Sequence, residues 1–324
     1  MIFERKKIME IKEIKSFADK ICENISKVII GREKETTIIL SAIAAGGNIL
    51  IEDKPGTGKT MFAKAIAKSI DGEFKRVQFT PDLMPSDITG LNIYNRKTEE
   101  FELIKGPVFT NVLLADEINR ATPRTQSSLL EAMEEKQVTI DGKSYILDKP
   151  FVVIATENPV ETTGTYPLPE AQLDRFMIKI SMGDNDKETE LDIIDRYIND
   201  NPIEDMQAVC NTEDINELQA AVKNVFVHQC IREYMVDIIL ETRNNSKINI
   251  GASARGTIAL LRLSQAYAAI MGREFVKPDD VRYVAPYVLG HRIITVGHAD
   301  EKKEKAVITE LVNGVRVPVE NWEK

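Results

Sequence analysis

The feature that most constrains this chain is the string DKPGTGKT at residues 53–60. It follows the apolar run Ile49, Leu50, Ile51 and leads into a helical pattern over residues 61–70. An apolar strand, a glycine-bearing loop, a Lys-Thr pair and a helix form the arrangement that cradles nucleotide phosphates. Small residues let backbone N–H groups turn toward phosphate oxygens, and the helix adds the positive end of its dipole. In such a loop Lys59 neutralises the β- and γ-phosphates and the Thr60 hydroxyl ligates Mg²⁺, with Pro55, Gly56, Thr57, Gly58 and Met61 around the same phosphates. One position departs from the generic G-x-x-x-x-G-K-[ST] pattern, because Asp53 stands where the first glycine is expected. Aspartate tolerates left-handed backbone better than most residues, so the turn is expected to survive.

The length of 324 residues allows two domains and a sizeable core. A hydrophobic share of 43% and a charged share of 29% fit a soluble globular protein. The chain lacks an apolar run of the ~18 residues needed to span a membrane. Its opening MIFERKKIMEIKEIK mixes charges and lacks the apolar stretch of a secretory signal, so the cytoplasm is the expected location. Cys22, Cys210 and Cys230 are scattered and lack metal or disulfide spacing, and His228, His291 and His298 form no cluster. The net charge is −9, and neither half of the chain is basic, which weighs against nucleic acid as the main partner.

Residues 10–27 carry an amphipathic helical period through Ile11, Ile14, Phe17, Ala18, Ile21 and Ile25. A second helix runs to Ala45 and stops at Gly46-Gly47. Residues 77–79, 111–115 and 151–156 predict strands, and Thr122-Pro123 predicts the start of a helix to Glu135 with Leu129, Leu130 and Met133 inward. Strands alternating with helices imply a parallel sheet covered on both faces. Two hairpins interrupt it, one at residues 91–103 and one at 138–147, the latter around Asp141-Gly142. After residues 176–182 the pattern turns helical, without strand alternation to about residue 290. A boundary near 185 divides a nucleotide-binding core, 1–185, from a helical lid, 186–324.

A phosphate loop needs partners. Asp116 and Glu117 end the apolar run over residues 112–115, where Asp116 would hold Mg²⁺ and Glu117 would polarise the attacking water. Asn158 follows another apolar strand and can position that water, although TENP also reads as an ordinary turn. Arg175 offers a planar fork for phosphate, with a salt bridge to Asp174 or Glu170 as the alternative. Ser253 reads as an N-cap for a helix to Met271, which sets Arg255 in the first helical turn. A cation there opposes the helix dipole and points to an anion nearby, such as a γ-phosphate.

The order of these motifs resembles an AAA+ ATPase. Closer phrases resemble the MoxR family: LADEINRA at 114–121, LLEAMEE at 129–135, ATENP at 155–159, LPEAQLDRF at 168–176 and GASAR at 251–255. The resemblance runs from about residue 29 to about residue 292. It implies a P-loop αβα sandwich with an all-helical C-terminal lid, ATP and Mg²⁺ as ligands, and a ring of like subunits, hexameric in form. It makes residues 91–103 an insert in the second helix, 138–147 the hairpin before the sensor strand, Asn158 the first sensor, Arg175 an arginine finger and Arg255 the second sensor. Residues 28–31, with Gly31, resemble the segment that borders adenine, and Arg120 is a second interface candidate. Ala254 stands where many members carry proline.

The expected activity is hydrolysis of ATP by in-line attack of water on the γ-phosphate, with Arg255 sensing nucleotide from the lid and Arg175 reaching a neighbour's site. The family resemblance implies a chaperone that remodels or activates client proteins, among them von Willebrand factor A-domain proteins, or assists metal-cofactor insertion. The hairpins serve clients or ring assembly on this reading. A nucleic-acid-associated motor and a non-hydrolysing ATP-binding switch are the rival readings. Scattered basic residues in the hairpins (Arg96, Lys97, Lys143) weigh against the first, and intact Glu117 and Arg175 against the second.

Overall fold

The computed structural model describes residues 9–54, 56–159, 164–198, 201–297 and 301–318. Helices α1 (Ile11–Ser26) and α2 (Glu33–Ala44) precede β1 (Ile49–Glu52), α3 (Lys59–Ser69) and β2 (Phe74–Gln78). Helix α4 (Pro85–Thr89) leads into the hairpin β3 (Gly90–Asn95) and β4 (Glu100–Lys105). Then come β5 (Val112–Asp116), α5 (Pro123–Glu135), the hairpin β6 (Gln137–Ile140) and β7 (Lys143–Ile146), β8 (Val152–Glu157), α6 (Glu170–Leu173) and β9 (Ile178–Ile180). The C-terminal region comprises α7 (Lys187–Tyr197), α8 (Pro202–Asp205), α9 (Thr212–Ala221), α10 (Gln229–Asn244), β10 (Ile248–Ile250), α11 (Ala254–Ile270), α12 (Pro278–Leu289), β11 (Ile294–Thr295) and α13 (Glu301–Gly314).

Five strands form a parallel sheet in the order β2-β5-β8-β1-β9. The inner strands are apolar on both faces because both faces are covered. Ile49, Ile51, Val112, Leu114, Val152 and Ile154 enter one cluster, while Leu50, Leu113, Ala115, Val153 and Ala155 enter the other, the alternation that a strand imposes. The first cluster runs on without a break through α1, α2 and α3 into α10, α11 and α12. The second lies under α5, with Leu129, Leu130 and Met133 inward as their spacing predicts.

Both hairpins form. In the second, Asp141 (φ 49°) and Gly142 (φ 78°) take the left-handed angles that a two-residue turn needs. The Asn92 side-chain amide donates to Asp141 Oδ2 at 2.9 Å and ties one hairpin to the other. The C-terminal region is not wholly helical: β10 and β11 pair antiparallel. At three and two residues they are too short to leave an alternation in the sequence.

Arg292 fastens the helical region to the sheet. Its side chain is 2% exposed, and its Nε donates to Asp174 Oδ1 at 2.7 Å. Its Nη atoms donate to the carbonyls of Asp174 (3.1 Å), Phe176 (2.5 Å) and Met177 (3.1 Å), and to that of Val288. Burial lowers its pKa to about 10, with Asp174 opposing the shift. At the carboxyl edge of the sheet, Glu52 of β1 lies opposite Glu157 of β8, and Lys179 of β9 pairs with Glu52. Burial pushes Glu157 up to about 7; Lys179 works against this and Glu52 with it.

Two outcomes follow. Arg292→Ala removes the buried guanidinium from Asp174, which keeps only the Ser253 hydroxyl, and from several carbonyls, so urea denaturation is expected to show a loss of about 3–5 kcal/mol. For Glu157 the folded chain binds a proton that the unfolded chain has released between pH 4.5 and about 7. Stability from this group therefore falls as pH rises through that window, by about 3 kcal/mol. Urea midpoints across that range should show the fall in the native chain and its absence in Glu157→Gln.

Candidate functional site

The carboxyl ends of β1, β5 and β8 lie side by side where the chain, having run from β1 out to β2 and back, crosses over β1 to β9. Ligands bind at such switch points in open α/β sheets. After β1 the chain turns at Gly56 (φ +85°) and Gly58 (φ +82°), angles that glycine adopts without strain. Space is open around both. Asp53, by contrast, is not in the left-handed region. The expectation that an aspartate there must tolerate such angles is corrected: the glycines carry the turn. Gly58 is the N-cap of α3, and among the described residues no side chain caps that helix or brings an acid to its first turn. The free N–H groups and the dipole suit an anion. Pro55 lies outside the described residues, as does His298.

Lys59 is 8% exposed, and its Nζ donates to the Asp53 carbonyl at 2.8 Å. Burial lowers its pKa, while the charges of Asp53, Asp116 and Glu117 raise it, so those carboxylates and the lysine share one neighbourhood. Thr60 follows, half-buried, in the first turn of α3. Asp116 ends β5, and its Oδ1 accepts from the Thr156 hydroxyl at 2.6 Å. That hydroxyl accepts in turn from the Glu117 N–H at 2.8 Å, so one threonine of β8 fixes both acids. Glu117 sits at φ 55°, a left-handed angle. Its Oε2 accepts from the Gln78 side chain at 2.8 Å and lies 3.3 Å from Arg120 Nε. Arg76 donates to Asp116 Oδ2 at 2.6 and 3.1 Å. Asn158 follows β8 and is buried at the same edge.

A cleft of about 360 Å³ opens beside the loop. Val28, Ile29 and Ile30 line it from the segment before α2, Met61 from α3, and Ile193 and Tyr197 from α7. Gly31 abuts Thr189 of α7 close by. An apolar cleft joined to a cationic loop fits a purine nucleotide, and paired acids near a half-buried threonine fit a divalent cation between them.

Arg175 and Arg255 lie elsewhere. Arg175 Nε is 3.2 Å from Glu134 Oε2, and an Nη of Arg255 pairs with Glu134 Oε1. Asp174 is engaged by Arg292 and by the Ser253 hydroxyl (2.8 Å), so the expected alternative of an Arg175–Asp174 pair is not what forms. Ser253 caps α11 as predicted, accepting from Arg255 N and Gly256 N. The two arginines line a pocket of about 240 Å³ with Gly46, Gly47 and Asn48, at the amino end of β1. The phosphate loop leaves the carboxyl end of that strand, four residues and about 13 Å away. Arg255, expected to sense nucleotide from the lid, therefore lies at the opposite end of that strand from the loop of its own chain. The anion that offsets its place in the first helical turn is Glu134.

Several residues escaped sequence reading. Arg76 and Gln78 stand two apart on β2, a weak strand signal that both face one side. Thr156, Glu134 and Arg292 leave no local mark, since the acids or arginines they meet lie at least 39 positions away.

Residues 48–178 match the model of the ATPase family associated with various cellular activities (AAA), and residues 240–311 match the AAA lid domain. The YeaC protein of Bacillus subtilis is 48% identical over 305 residues, covering 93% of this chain and 95% of its own. Chaperone MoxR1 of Mycobacterium tuberculosis is 38% identical over 308 residues, covering 92% of this chain and 81% of its own. A crystal structure of a candidate ATPase from Cytophaga hutchinsonii superposes with a TM-score of 0.86 at 39% identity, over 95% of this chain and 98% of that one. The core and lid matches, together with relatives similar along nearly the whole chain, show that this chain belongs to the MoxR family of AAA+ ATPases.

Proposed function

We propose that this chain hydrolyses ATP as a member of a ring, hexameric as the family resemblance implies, and uses the turnover to remodel or activate a partner protein. The observation that carries the reading is the gathering of Lys59, Asp116, Glu117 and Asn158 at one sheet edge while Arg175 and Arg255 lie at the other. Lys59 and the N–H groups of the loop hold the β- and γ-phosphates. Thr60 and Asp116 would hold Mg²⁺, which supplies charge neutralisation to the phosphates when bound. Thr156 orients both acids. Glu117 takes the proton of the attacking water and Asn158 positions it. Ile193, Tyr197, Met61 and residues 28–31 cover the base.

Two arginines a strand length from their own loop suit a neighbour's γ-phosphate. Glu134 carries one negative charge against two guanidinium groups. The pair keeps a net positive charge for an incoming anion. The relative described as a chaperone supports a protein client. Clients with a von Willebrand factor A domain, or partners that receive a metal cofactor, are what the family resemblance implies. No helix is long and apolar enough to cross a membrane among the described residues. The cytoplasm is the proposed location.

Specific ATPase activity should rise with protein concentration as rings form. Arg175→Ala and Arg255→Ala should each lower turnover about 10³-fold while labelled nucleotide still binds. Lys59→Ala supplies arginines but no phosphate site, and Arg175→Ala supplies the reverse. Their mixture should exceed either variant alone in a phosphate-release assay, and a mixture no better than its parts would assign the arginines to their own chain. Glu117→Gln should retain bound ATP, and the client should co-purify with it.

A further inference from the structure

Asp53 is the departure from the generic phosphate loop, and its side chain has an assignment that the ATPase reading leaves unused. It is 7% exposed. Its Oδ2 accepts from the backbone N–H of Met182 at 2.8 Å and of Gly183 at 3.2 Å. Both belong to the segment that joins β9 to α7. Its Oδ1 accepts from the Lys54 N–H at 3.0 Å. The backbone of the same residue does two further things. Its N–H donates to the Glu157 carbonyl at 3.1 Å, next to Asn158, and its carbonyl accepts from Lys59 Nζ at 2.8 Å.

The joining segment is gripped from a second side. An Nη of Arg32 donates to the Gly183 carbonyl at 3.0 Å and to Asn185 Oδ1. Met182, Arg32 and Asn185 line the nucleotide cleft, and α7, which follows, lends it Ile193 and Tyr197. A glycine at 53 would satisfy the loop, because residue 53 needs no left-handed angle. It could not reach the segment. The aspartate therefore adds a tether that the loop itself does not require.

We propose that Asp53 is a positioning residue that couples the phosphate loop to the segment between β9 and α7, so that engagement of Lys59 by phosphate is felt by α7 and the helical region. A phosphate competes with the Asp53 carbonyl for Lys59 Nζ. When Lys59 turns to phosphate, the backbone at 53 loses that donor while its carboxylate keeps hold of Met182 and Gly183. Displacement of the loop is then carried to the segment through hydrogen bonds to a carboxylate, about twice as strong as neutral ones. The inference rests on the ATPase reading.

Amide hydrogen exchange of the full chain, with and without Mg-ATP, tests it. In the native protein, protection over residues 182–197 should change about tenfold or more on adding nucleotide. In Asp53→Gly that response should shrink to less than about threefold, while labelled ATP still binds within about threefold of the native affinity. Turnover should fall about tenfold with KM for ATP within threefold. Asp53→Asn keeps one side-chain oxygen for Met182 and Gly183 and should lie between; it carries the comparison if the glycine variant does not fold. A glycine or asparagine variant whose segment responds as fully as the native one overturns the inference alone. A native protein that binds no adenine nucleotide overturns the ATPase reading, and the coupling with it.

Discussion

Three parallel strands that end at one level impose the rest of this structure. Because β1, β5 and β8 pair in register, the residue after each run reaches the same edge. Apolar side chains on both faces of those strands drive that pairing, and the polar groups at their ends are held close as a consequence. The result sets Asp53, Asp116 and Glu117 around one buried lysine. Burial of Lys59 favours its neutral form, and the acids oppose that. A site in this balance suits a ligand whose charge resides on phosphates, with a divalent cation to answer the carboxylates.

The same sheet separates two chemistries. The carboxyl edge has acids and a phosphate loop; the amino edge has Arg175 and Arg255 around Glu134. A cation placed in the first turn of α11 is unfavourable by itself. Glu134 answers it, yet one carboxylate shared between two guanidinium groups leaves them undersupplied with acceptors. An oxyanion with several acceptor oxygens would complete them, and a second copy of the chain carries such a ligand at its loop on the proposed reading. On that proposed reading, catalytic competence and assembly are linked through one pair of side chains.

Much of this was legible in sequence where the signal was local. The strand, loop and helix around Lys59, the Asp141-Gly142 turn, the Pro123 start of α5 and the Ser253 cap of α11 each rest on neighbours within a few positions. Contacts between distant residues were not legible. Glu134 meets Arg255 across 121 positions and Arg292 meets Asp174 across 118, and neither spacing leaves a pattern. The strands β10 and β11 were missed because two or three residues hold too little alternation to read. The helical region read as a separate lid, yet its apolar side is continuous with α1, α2 and the sheet. Sequence periodicity reports which face is apolar but not what it meets.

Asp53 shows how a departure from a motif differs from its loss. As a string, DKPGTGKT lacks one glycine; as a structure it lacks nothing the phosphates need, since Gly56 and Gly58 supply both left-handed turns. Freed from that duty, position 53 can hold a side chain, and the buried space beside it is bounded by two backbone N–H groups of the segment leading to α7. An apolar residue there would leave the buried Met182 N–H without this acceptor and the Gly183 N–H with only the Ser181 hydroxyl at 3.2 Å, and a buried orphan donor costs about 1–3 kcal/mol. A lysine would face them with like polarity. Only a short acceptor answers that geometry, and aspartate, with two oxygens, also satisfies the Lys54 N–H. The identity of residue 53 is therefore dictated by the segment behind the loop rather than by the phosphates in front of it.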